Sequence, residues 1–234
     1  MVISDMDRRV ALITGANRGI GFEAAKQLLA RGYAVILSGR DERAVAEAAA
    51  QVGAVPLVLD VTREEDARRA VAFVKERFGR LDALINNAGV LLDEGVSGLE
   101  VPIETVQKTF EVNVYGALRL SQAFAPMMVT QRYGRIVNVS SIMGSLTHAG
   151  PGYLAYRSSK AALNMVTRVL AAELKGTGVL VNSVHPGWVR TRMGGPAAPL
   201  APEEGAKALV WAATLPEGGP TGGFFEGEGK PLPW

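Results

Sequence analysis

Short apolar runs alternate with longer stretches of mixed polarity along most of this chain. Each run has five or six residues, most of them apolar, as in strands that are buried on both faces of a parallel sheet. The stretches between the runs have helical composition and periodicity. We predict strands over 10–14, 34–38, 55–59, 81–85, 136–140 and 179–184, and helices over 22–31, 42–51, 62–78, 102–131, 152–175 and 203–214.

This alternation predicts an α/β fold with a single doubly wound domain of the Rossmann type, in which helices flank a parallel sheet of about seven strands. The tail over 222–234 is expected to add the last strand, and one domain is expected to span 1–234. Thr62 and Glu65 have the spacing of a capping box, which predicts where the third helix begins. Residues 190–202 are rich in glycine and proline, and we interpret this loop as a substrate lid.

The composition excludes several kinds of chemistry. The chain has no cysteine, so disulfides, cysteine nucleophiles and thiolate metal sites are excluded, and cytoplasmic residence is expected. His148 and His185 are isolated in the sequence, so no metal site is predicted. The net charge is +2 and both signs are interspersed, so we predict no nucleic-acid partner. Residues 1–7 do not resemble a signal peptide, and no apolar run approaches the roughly 18 residues of a membrane span, so no membrane partner is expected.

A glycine-rich turn connects the first strand to the first helix. Its sequence is Thr14-Gly15-Ala16-Asn17-Arg18-Gly19-Ile20-Gly21. Glycines at such a turn let the backbone approach a pyrophosphate, whose charge the helix N-terminus then meets. The spacing differs from G-x-G-x-x-G, but its place between strand and helix predicts a dinucleotide site.

Charged residues follow the second and third strands, where dinucleotide folds bind the adenosine. An arginine at the end of the second strand favours a 2′-phosphate, and an acid favours a free 2′-hydroxyl. Arg40 and Arg18 therefore favour NADP over NAD, although Asp41 follows directly and is also suited to cap the next helix. Asp60, at the end of the third strand, is a candidate to hydrogen-bond the adenine.

Small and amide residues follow the fourth strand. Ala88 and Gly89 would let the backbone approach the cofactor ribose, and the asparagine beside them, Asn87, can tie neighbouring strand ends together. Asn113 lies inside the predicted helix over 102–131. An asparagine in a helix interior competes with the backbone hydrogen bonds, so we expect it to have a specific role.

The candidate chemistry lies at Tyr156 and Lys160. Residues four apart share one face of a helix, so the ammonium would stand near the phenol and lower its pKa from about 10 towards working pH. A phenol with such a pKa can donate or accept a proton. Ser141, after the fifth strand, could hold a carbonyl oxygen. A tyrosine and a lysine at this spacing are also common on ordinary helices, so the interpretation depends on the rest of the chain.

Over essentially its whole length, the chain resembles the short-chain dehydrogenase/reductase family. The matching stretches are Thr14-Gly15-x-x-x-Gly19-Ile20-Gly21, Asp60-Val61, Asn86-Asn87-Ala88-Gly89, Asn113, Ser141, Tyr156-x-x-x-Lys160 and Pro186-Gly187. The order and spacing of all these stretches make the resemblance specific.

The resemblance implies a catalytic tetrad of Asn113, Ser141, Tyr156 and Lys160. Tyr156 would donate the proton to the carbonyl oxygen and Ser141 would orient that oxygen. Lys160 would lower the pKa of the tyrosine and bind the nicotinamide ribose, and Asn113 would hold a water on the proton relay. Ser140 is the rival of Ser141, which we prefer because it directly precedes the segment 142–144, as in the family.

The family pattern also implies a cofactor site at the strand ends. Its residues are Gly15, Asn17, Arg18, Gly19, Ile20, Gly21, Arg40, Asp60, Val61, Asn87, Ala88, Gly89, Tyr156, Lys160, Pro186, Gly187, Val189 and Thr191.

More narrowly, the stretches 186–196, 202–205 and 219–225 are similar to carbonyl reductases that use NADPH. This similarity implies NADP(H) as cofactor and a small carbonyl compound as substrate, which would be reduced to the alcohol. The pocket would be largely apolar, and its candidate residues are Leu91, Met143, His148, Tyr153 and Met193.

One departure from the family concerns the stretch before the tyrosine. Only fourteen residues separate Ser141 from Tyr156, whereas monomeric animal and plant members carry a long insertion there. Without that insertion, the long helices that pair in oligomeric members would be free. A homodimer or homotetramer is therefore expected.

Two alternatives stay open at this point. An NAD-dependent dehydrogenase of secondary alcohols would share the tetrad, but Arg40 and Arg18 count against it. A nucleotide-sensing module without chemistry would be expected to have a broken tetrad, and here all four positions are filled. Sugar-nucleotide epimerases also use a tyrosine–lysine pair, but they are longer chains with a different glycine spacing.

Overall fold

The computed structural model describes residues 8–234. Residues 1–7, which are not expected to form a signal peptide, lie outside the described residues. The strands are β1 (Val10–Ile13), β2 (Ala34–Gly39), β3 (Val55–Val58), β4 (Ala83–Asn86), β5 (Gly134–Val139), β6 (Val179–His185), β7 (Phe224–Glu226) and β8 (Lys230–Pro231). The helices are α1 (Gly19–Ala30), α2 (Glu42–Val52), α3 (Glu64–Phe78), α4 (Ile103–Phe110), α5 (Ala117–Gln131), α6 (Leu154–Glu173) and α7 (Pro202–Ala213).

All eight strands of the described chain belong to one sheet in the order β3-β2-β1-β4-β5-β6-β7-β8. Neighbouring strands are parallel from β3 to β7, and β8 alone is antiparallel. The doubly wound α/β fold is thus confirmed. The unpredicted eighth strand has only two residues, Lys230 and Pro231, which carry no apolar pattern. Strand order reverses between β1 and β4, and in such sheets the ligand crevice lies outside the carboxyl ends of the strands at that point.

Alternate residues of each strand face opposite helical layers. In β1, Ala11 and Ile13 belong to a core cluster with residues of α1, α2 and α7. Val10 and Leu12 belong to a second cluster with residues of α3, α5 and α6. Both faces of the sheet are therefore covered, which explains why the central strands are apolar throughout.

The predicted helix over 102–131 is interrupted. Between α4 and α5, residues Glu111–Gly116 form a π-helical segment, which contains Asn113. This segment also contacts the stretch that follows β3, because a Cβ on Gly116 would lie 2.7 Å from Val61 Cγ2. A π segment is a single-turn irregularity that often occurs at functional sites, and no periodicity in the sequence reveals it.

The predicted capping box of α3 is wrong. Helix α3 begins at Glu64, and Arg63 occupies the cap position without a side-chain bond. Thr62 lies one residue before this cap position, and its hydroxyl donates to Asp60 Oδ1 at 2.7 Å.

The predicted lid lacks regular helix and strand up to Pro202, where α7 begins. A single bridge pairs Val189 with Leu200 across its base. Arg190 donates to the carbonyls of Ala198 and Pro199, so the loop is fastened to itself. Within residues 8–234, no helix is long and apolar enough to cross a membrane.

Candidate active site

The glycine turn and the end of β4 are fastened to each other at the crevice. The Thr14 hydroxyl accepts hydrogen bonds from the backbone N–H groups of Asn87 and Ala88, both at 3.0 Å. Asn87 Nδ2 donates to the carbonyls of Thr14 and Gly15. A Cβ on Gly15, whose φ is +60°, would lie 3.0 Å from the Ala88 Cα. The sequence pattern marked Thr14 as part of the motif, but did not reveal that its hydroxyl joins two strand ends.

The N-terminus of α1 fits a pyrophosphate. Arg18 occupies the cap position without a side-chain bond, and the first turn contains no acidic residue, so the free N–H groups have no competing anion. Gly19 has a φ of +61°, and a Cβ on Gly21 would lie 2.6 Å from Asn87 Nδ2. The left-handed backbone of Gly19 and the close contact at Gly21 favour glycine at both positions, so the turn between β1 and α1 could hold the pyrophosphate of a dinucleotide.

Charged residues lie after β2 and β3, at the end of the crevice that we predict to bind the adenosine. Arg40 is exposed directly after β2, and Asp41 caps α2 by accepting from the Ala44 N–H at 2.9 Å. Burial raises the pKa of Asp60, but the hydrogen bonds from Thr62 and the positive charges of Arg40 and others outweigh it, so the pKa lies below its ordinary value. Arg40 thus acts on the Asp60 carboxylate, which stays ionised. A Cβ on Gly39 would lie 3.2 Å from Asn17 Oδ1, which places this asparagine of the glycine turn beside the end of β2.

Tyr156 is buried in the first turn of α6, with only 8% of its surface exposed. Burial raises the pKa of its phenol to about 12, and a hydrogen bond with the Ser141 hydroxyl opposes this shift. The pKa of this phenol is thus raised, whereas the sequence led us to expect that Lys160 would lower it. The Lys160 Nζ lies 5.6 Å from the centre of the tyrosine ring and donates instead to the Val139 carbonyl at 2.7 Å. The phenol therefore stays protonated at ordinary pH.

The Lys160 ammonium is itself buried at the end of β5. Burial lowers its pKa from 10.5 to about 8. Its partner is a carbonyl rather than a carboxylate, so no negative charge offsets the loss of solvation. A Cβ on Gly89 would lie 3.6 Å from Nζ, so the ammonium stands beside the backbone that follows β4.

The two neighbouring serines have different surroundings. Ser141 makes the hydrogen bond with Tyr156, and its Oγ also accepts from the Met143 N–H at 3.1 Å. Ser140 is buried and its hydroxyl is directed at the Lys160 carbonyl, 3.5 Å away. The geometry therefore favours Ser141 over Ser140 for contact with a substrate oxygen.

Asn113 joins three parts of the site. Its Oδ1 accepts from the Val90 N–H at 2.8 Å, and its Nδ2 donates to the Val90 carbonyl at 2.9 Å and to Ser159 Oγ at 3.0 Å. Both amide hydrogens are thus engaged, and only the second lone pair of Oδ1 is left for a water. The sequence marked Asn113 but not its partners, Val90 and Ser159.

The residues predicted for the nicotinamide end lie at the base of the loop over 190–202, which we predict to be a lid. Gly187 has a φ of +86°, and a Cβ there would clash with Leu200. Thr191 approaches the glycine turn, because a Cβ on Gly19 would lie 3.4 Å from its Cγ2. Val189 is buried with its side chain against Gly205 of α7, so only its backbone can face the crevice. Ile20 lies in the first turn of α1, whereas Val61 and Pro186 follow β3 and β6, and all three are partly or fully buried.

The loop between Ser141 and Tyr156 carries the predicted mouth residues. Arg157 donates to the carbonyls of Gly152 and His148, which holds this loop against α6. Tyr153 precedes α6 with a φ of +55°, a left-handed conformation that is uncommon outside glycine. The remaining predicted mouth residues are half-buried or exposed, namely Leu91, Met143, His148 and Met193. Among residues 8–234, no three His, Cys, Asp or Glu residues are grouped so as to hold a metal ion.

Comparison with known proteins identifies the family. Residues 9–199 match the model of the short chain dehydrogenase family. The short-chain dehydrogenase anuI of Penicillium roqueforti is 37% identical over 230 residues, which cover 90% of this chain and 90% of that protein. This chain therefore belongs to the short-chain dehydrogenase family, whose members are oxidoreductases that bind a nicotinamide cofactor.

Solved structures with the same fold include two carbonyl reductases. The carbonyl reductase Sniffer of D. melanogaster superimposes with a TM-score of 0.87 at 29% identity and covers 97% of this chain and 100% of its own. The NADPH-bound carbonyl reductase from chicken fatty liver has a TM-score of 0.87 at 30% identity, covering 97% of this chain and 94% of its own. The similarity to carbonyl reductases noted from the sequence is confirmed.

Burial of the Lys160 ammonium predicts a pH-dependent stability. The unfolded chain holds this proton up to about pH 10.5, whereas the folded protein releases it near pH 8, so stability rises between these values. A shift from 10.5 to about 8 corresponds to about 3 kcal/mol. In nucleotide-free protein, the free energy of unfolding of wild type should therefore rise by about 3 kcal/mol from pH 7 to 10.5 relative to that of Lys160→Met.

Urea denaturation at intervals across this range measures the difference. Lys207→Met removes an exposed lysine and serves as the control, for which the difference should stay constant. A constant difference for Lys160→Met as well would show that its ammonium is not desolvated.

Proposed function

We propose that this protein is an NADPH-dependent reductase that converts the carbonyl group of an aldehyde or ketone into an alcohol. The observation that carries the proposal is the buried, neutral Tyr156 phenol, which is hydrogen-bonded to Ser141 beside the crevice at the strand ends. The two similar carbonyl reductases support the reaction class, and the description of one of them as NADPH-bound supports the cofactor.

In the proposed reaction, Tyr156 donates its phenolic proton to the substrate oxygen while the Ser141 hydroxyl orients that oxygen. A pKa of about 12 keeps the phenol protonated at neutral pH, which suits a general acid. The alkoxide that forms is a stronger base than phenolate, so the proton moves downhill. The hydride would come from a reduced nicotinamide held at the crevice.

Lys160 holds the ribose end of the cofactor in this proposal. An ammonium has three N–H donors, and one of them is engaged with the Val139 carbonyl. The other two are available for ribose hydroxyls next to Gly89, where the absence of a side chain leaves room. The glycine turn and the N-terminus of α1 would bind the pyrophosphate, and Arg40 and Arg18 the 2′-phosphate.

Replacing Tyr156 by Phe tests the proton donor. We expect the variant to lose about 10²–10⁴-fold in turnover, because it lacks a positioned general acid, and to keep its affinity for NADPH. The measurement is the initial rate of NADPH and of NADH oxidation over a panel of aromatic and aliphatic carbonyls.

The control is Tyr115→Phe, which changes an exposed tyrosine in the π-helical segment. Retained activity in Tyr156→Phe would mean that another group donates the proton. Tight nucleotide binding without turnover in wild type would favour a sensing module, and faster alcohol oxidation with NAD would favour the dehydrogenase alternative.

Replacing Arg40 by Ala tests the cofactor preference. We expect the Kd of NADPH to rise about tenfold and that of NADH to change little, because only NADPH carries the phosphate that a charge-assisted bond would recognise. Fluorescence titration with both nucleotides measures this. Arg43→Ala removes a cation three residues further on that is paired with Glu47, and should leave both affinities unchanged. Equal weakening of both nucleotides would contradict the assignment.

We also propose that the protein assembles into a homodimer or homotetramer through α5 and α6. Val129, Met165 and Val169 are exposed apolar residues on these helices. A groove of about 350 Å³ lies between the helices and is lined by residues of both, including Pro126 and Leu170. An apolar surface on two adjoining helices is typical of a subunit interface.

Sedimentation velocity tests the assembly. Wild type should sediment as a dimer or tetramer, and Met165→Glu should shift it towards monomer because it buries a charge in the interface. Val58→Glu, which places the same charge on the exposed face of β3, is the control. A monomeric wild type would overturn the proposal.

A further inference from the structure

A carboxylate from a distant loop holds the N-terminus of the helix that carries Tyr156. Asp93 lies between β4 and α4 and is fully buried, with 0% of its surface exposed. Its Oδ2 accepts from the backbone N–H of Ala155 at 2.7 Å, across 62 positions of sequence. Its Oδ1 is buried without a hydrogen-bond partner in the described structure.

Helix α6 has no cap of its own. Tyr153, at the cap position, is left-handed and makes no side-chain bond, and the first turn contains no acidic residue. Asp93 therefore meets both the free N–H and the positive end of the helix dipole. An ordinary cap is local and exposed, as Asp41 is on α2. A fully buried carboxylate with one unsatisfied oxygen is a costly way to cap a helix, and this cost calls for a role beyond capping.

The same loop is fastened to α6 at a second point one turn further on. Asn113 binds Val90 of the loop and Ser159 of the helix. Ala155 directly precedes Tyr156, and Ser159 directly precedes Lys160. The loop is thus bound to the helix directly by Asp93 and indirectly through Asn113. Each contact is made at the residue before one of the two residues proposed for catalysis.

Close packing leaves little freedom at this junction. A Cβ on Gly98, in the same loop, would lie 3.1 Å from Leu154 Cδ1 in the first residue of α6. The Asp93 bond fixes the backbone one residue before Tyr156, so a shift of this turn would move the phenol relative to Ser141. Displacement of a reacting group by about 1 Å can cost about 100-fold in rate.

We infer that Asp93 is a positioning residue, whose bond to Ala155 aligns the Tyr156 phenol with Ser141 and the substrate oxygen. The inference rests on the proposed reductase function. It assigns Asp93 to the orientation of the proton donor, and not to contact with substrate or cofactor.

Asp93→Ala tests this role with two readouts. The rate of hydride transfer at saturating NADPH should fall about 10- to 100-fold, while the Kd of NADPH changes less than about twofold, because only the alignment of Tyr156 is lost. Amide hydrogen exchange over 154–160 should become faster, since the first turn of α6 is no longer held. Asp93→Asn keeps an acceptor oxygen and should restore both readouts to within about threefold of wild type, because asparagine and aspartate cap helices equally well.

The matched control is Glu94→Ala, which removes an exposed carboxylate from the next position of the same loop and should change neither readout. Faster exchange in Asp93→Ala with an unchanged rate would reduce Asp93 to a helix cap and overturn the inference. Unchanged exchange would also overturn it.

Two further outcomes are separable. If wild type reduces no carbonyl compound, the proposed function fails, and the hydrogen-exchange measurement alone then decides whether Asp93 orders the turn that carries Tyr156.

If Asp93→Ala does not fold, Asp93→Glu replaces it, because it keeps the charge but lengthens the side chain by one methylene. Its rate should fall like that expected for alanine, and an undiminished rate would contradict positioning.

Discussion

The burial of the Lys160 ammonium at the end of β5 is the constraint on which the active-site region depends. Its hydrogen bond to the Val139 carbonyl ties α6 to the sheet at the point where the strand ends. A Cβ on Gly144 would lie 2.7 Å from Lys160 Cβ, so the segment after β5 and the helix are in direct contact. This contact brings Ser141 to Tyr156, although fourteen residues separate them in the chain.

That arrangement costs stability, because a charge without a carboxylate partner is removed from water. The pKa values reflect the cost, since burial moves the tyrosine up to about 12 and the lysine down to about 8. Both shifts favour the neutral form of the group. In the reductase proposal the raised pKa of Tyr156 keeps the proton on its donor. The desolvation cost of the Lys160 ammonium is offset when ribose hydroxyls accept hydrogen bonds from its other N–H groups.

The short loop between Ser141 and Tyr156 is ordered by contacts from elsewhere in the chain. Arg157 binds carbonyls of this loop from the side of α6. The Trp234 carbonyl accepts from both the backbone N–H and the hydroxyl of Thr147. On the other side of the crevice, Asn113 and Asp93 hold the loop that follows β4. Contacts from distant segments thus add to two 3₁₀ turns, Ile142–Gly144 and Leu146–His148, in ordering the loop between Ser141 and Tyr156.

The sequence by itself determined the α/β class and, within residues 8–234, all but the last short strand, because apolar periodicity is a local property of the chain. Only the tertiary structure decided that Thr62 binds Asp60 rather than capping α3, that a π-helical segment carries Asn113, and that Lys160 is directed at Val139. Asp93 had no local signal, since its partner lies 62 positions away. The physical reason is that hydrogen bonds and desolvation depend on which groups folding brings together, and a one-dimensional pattern does not contain those distances.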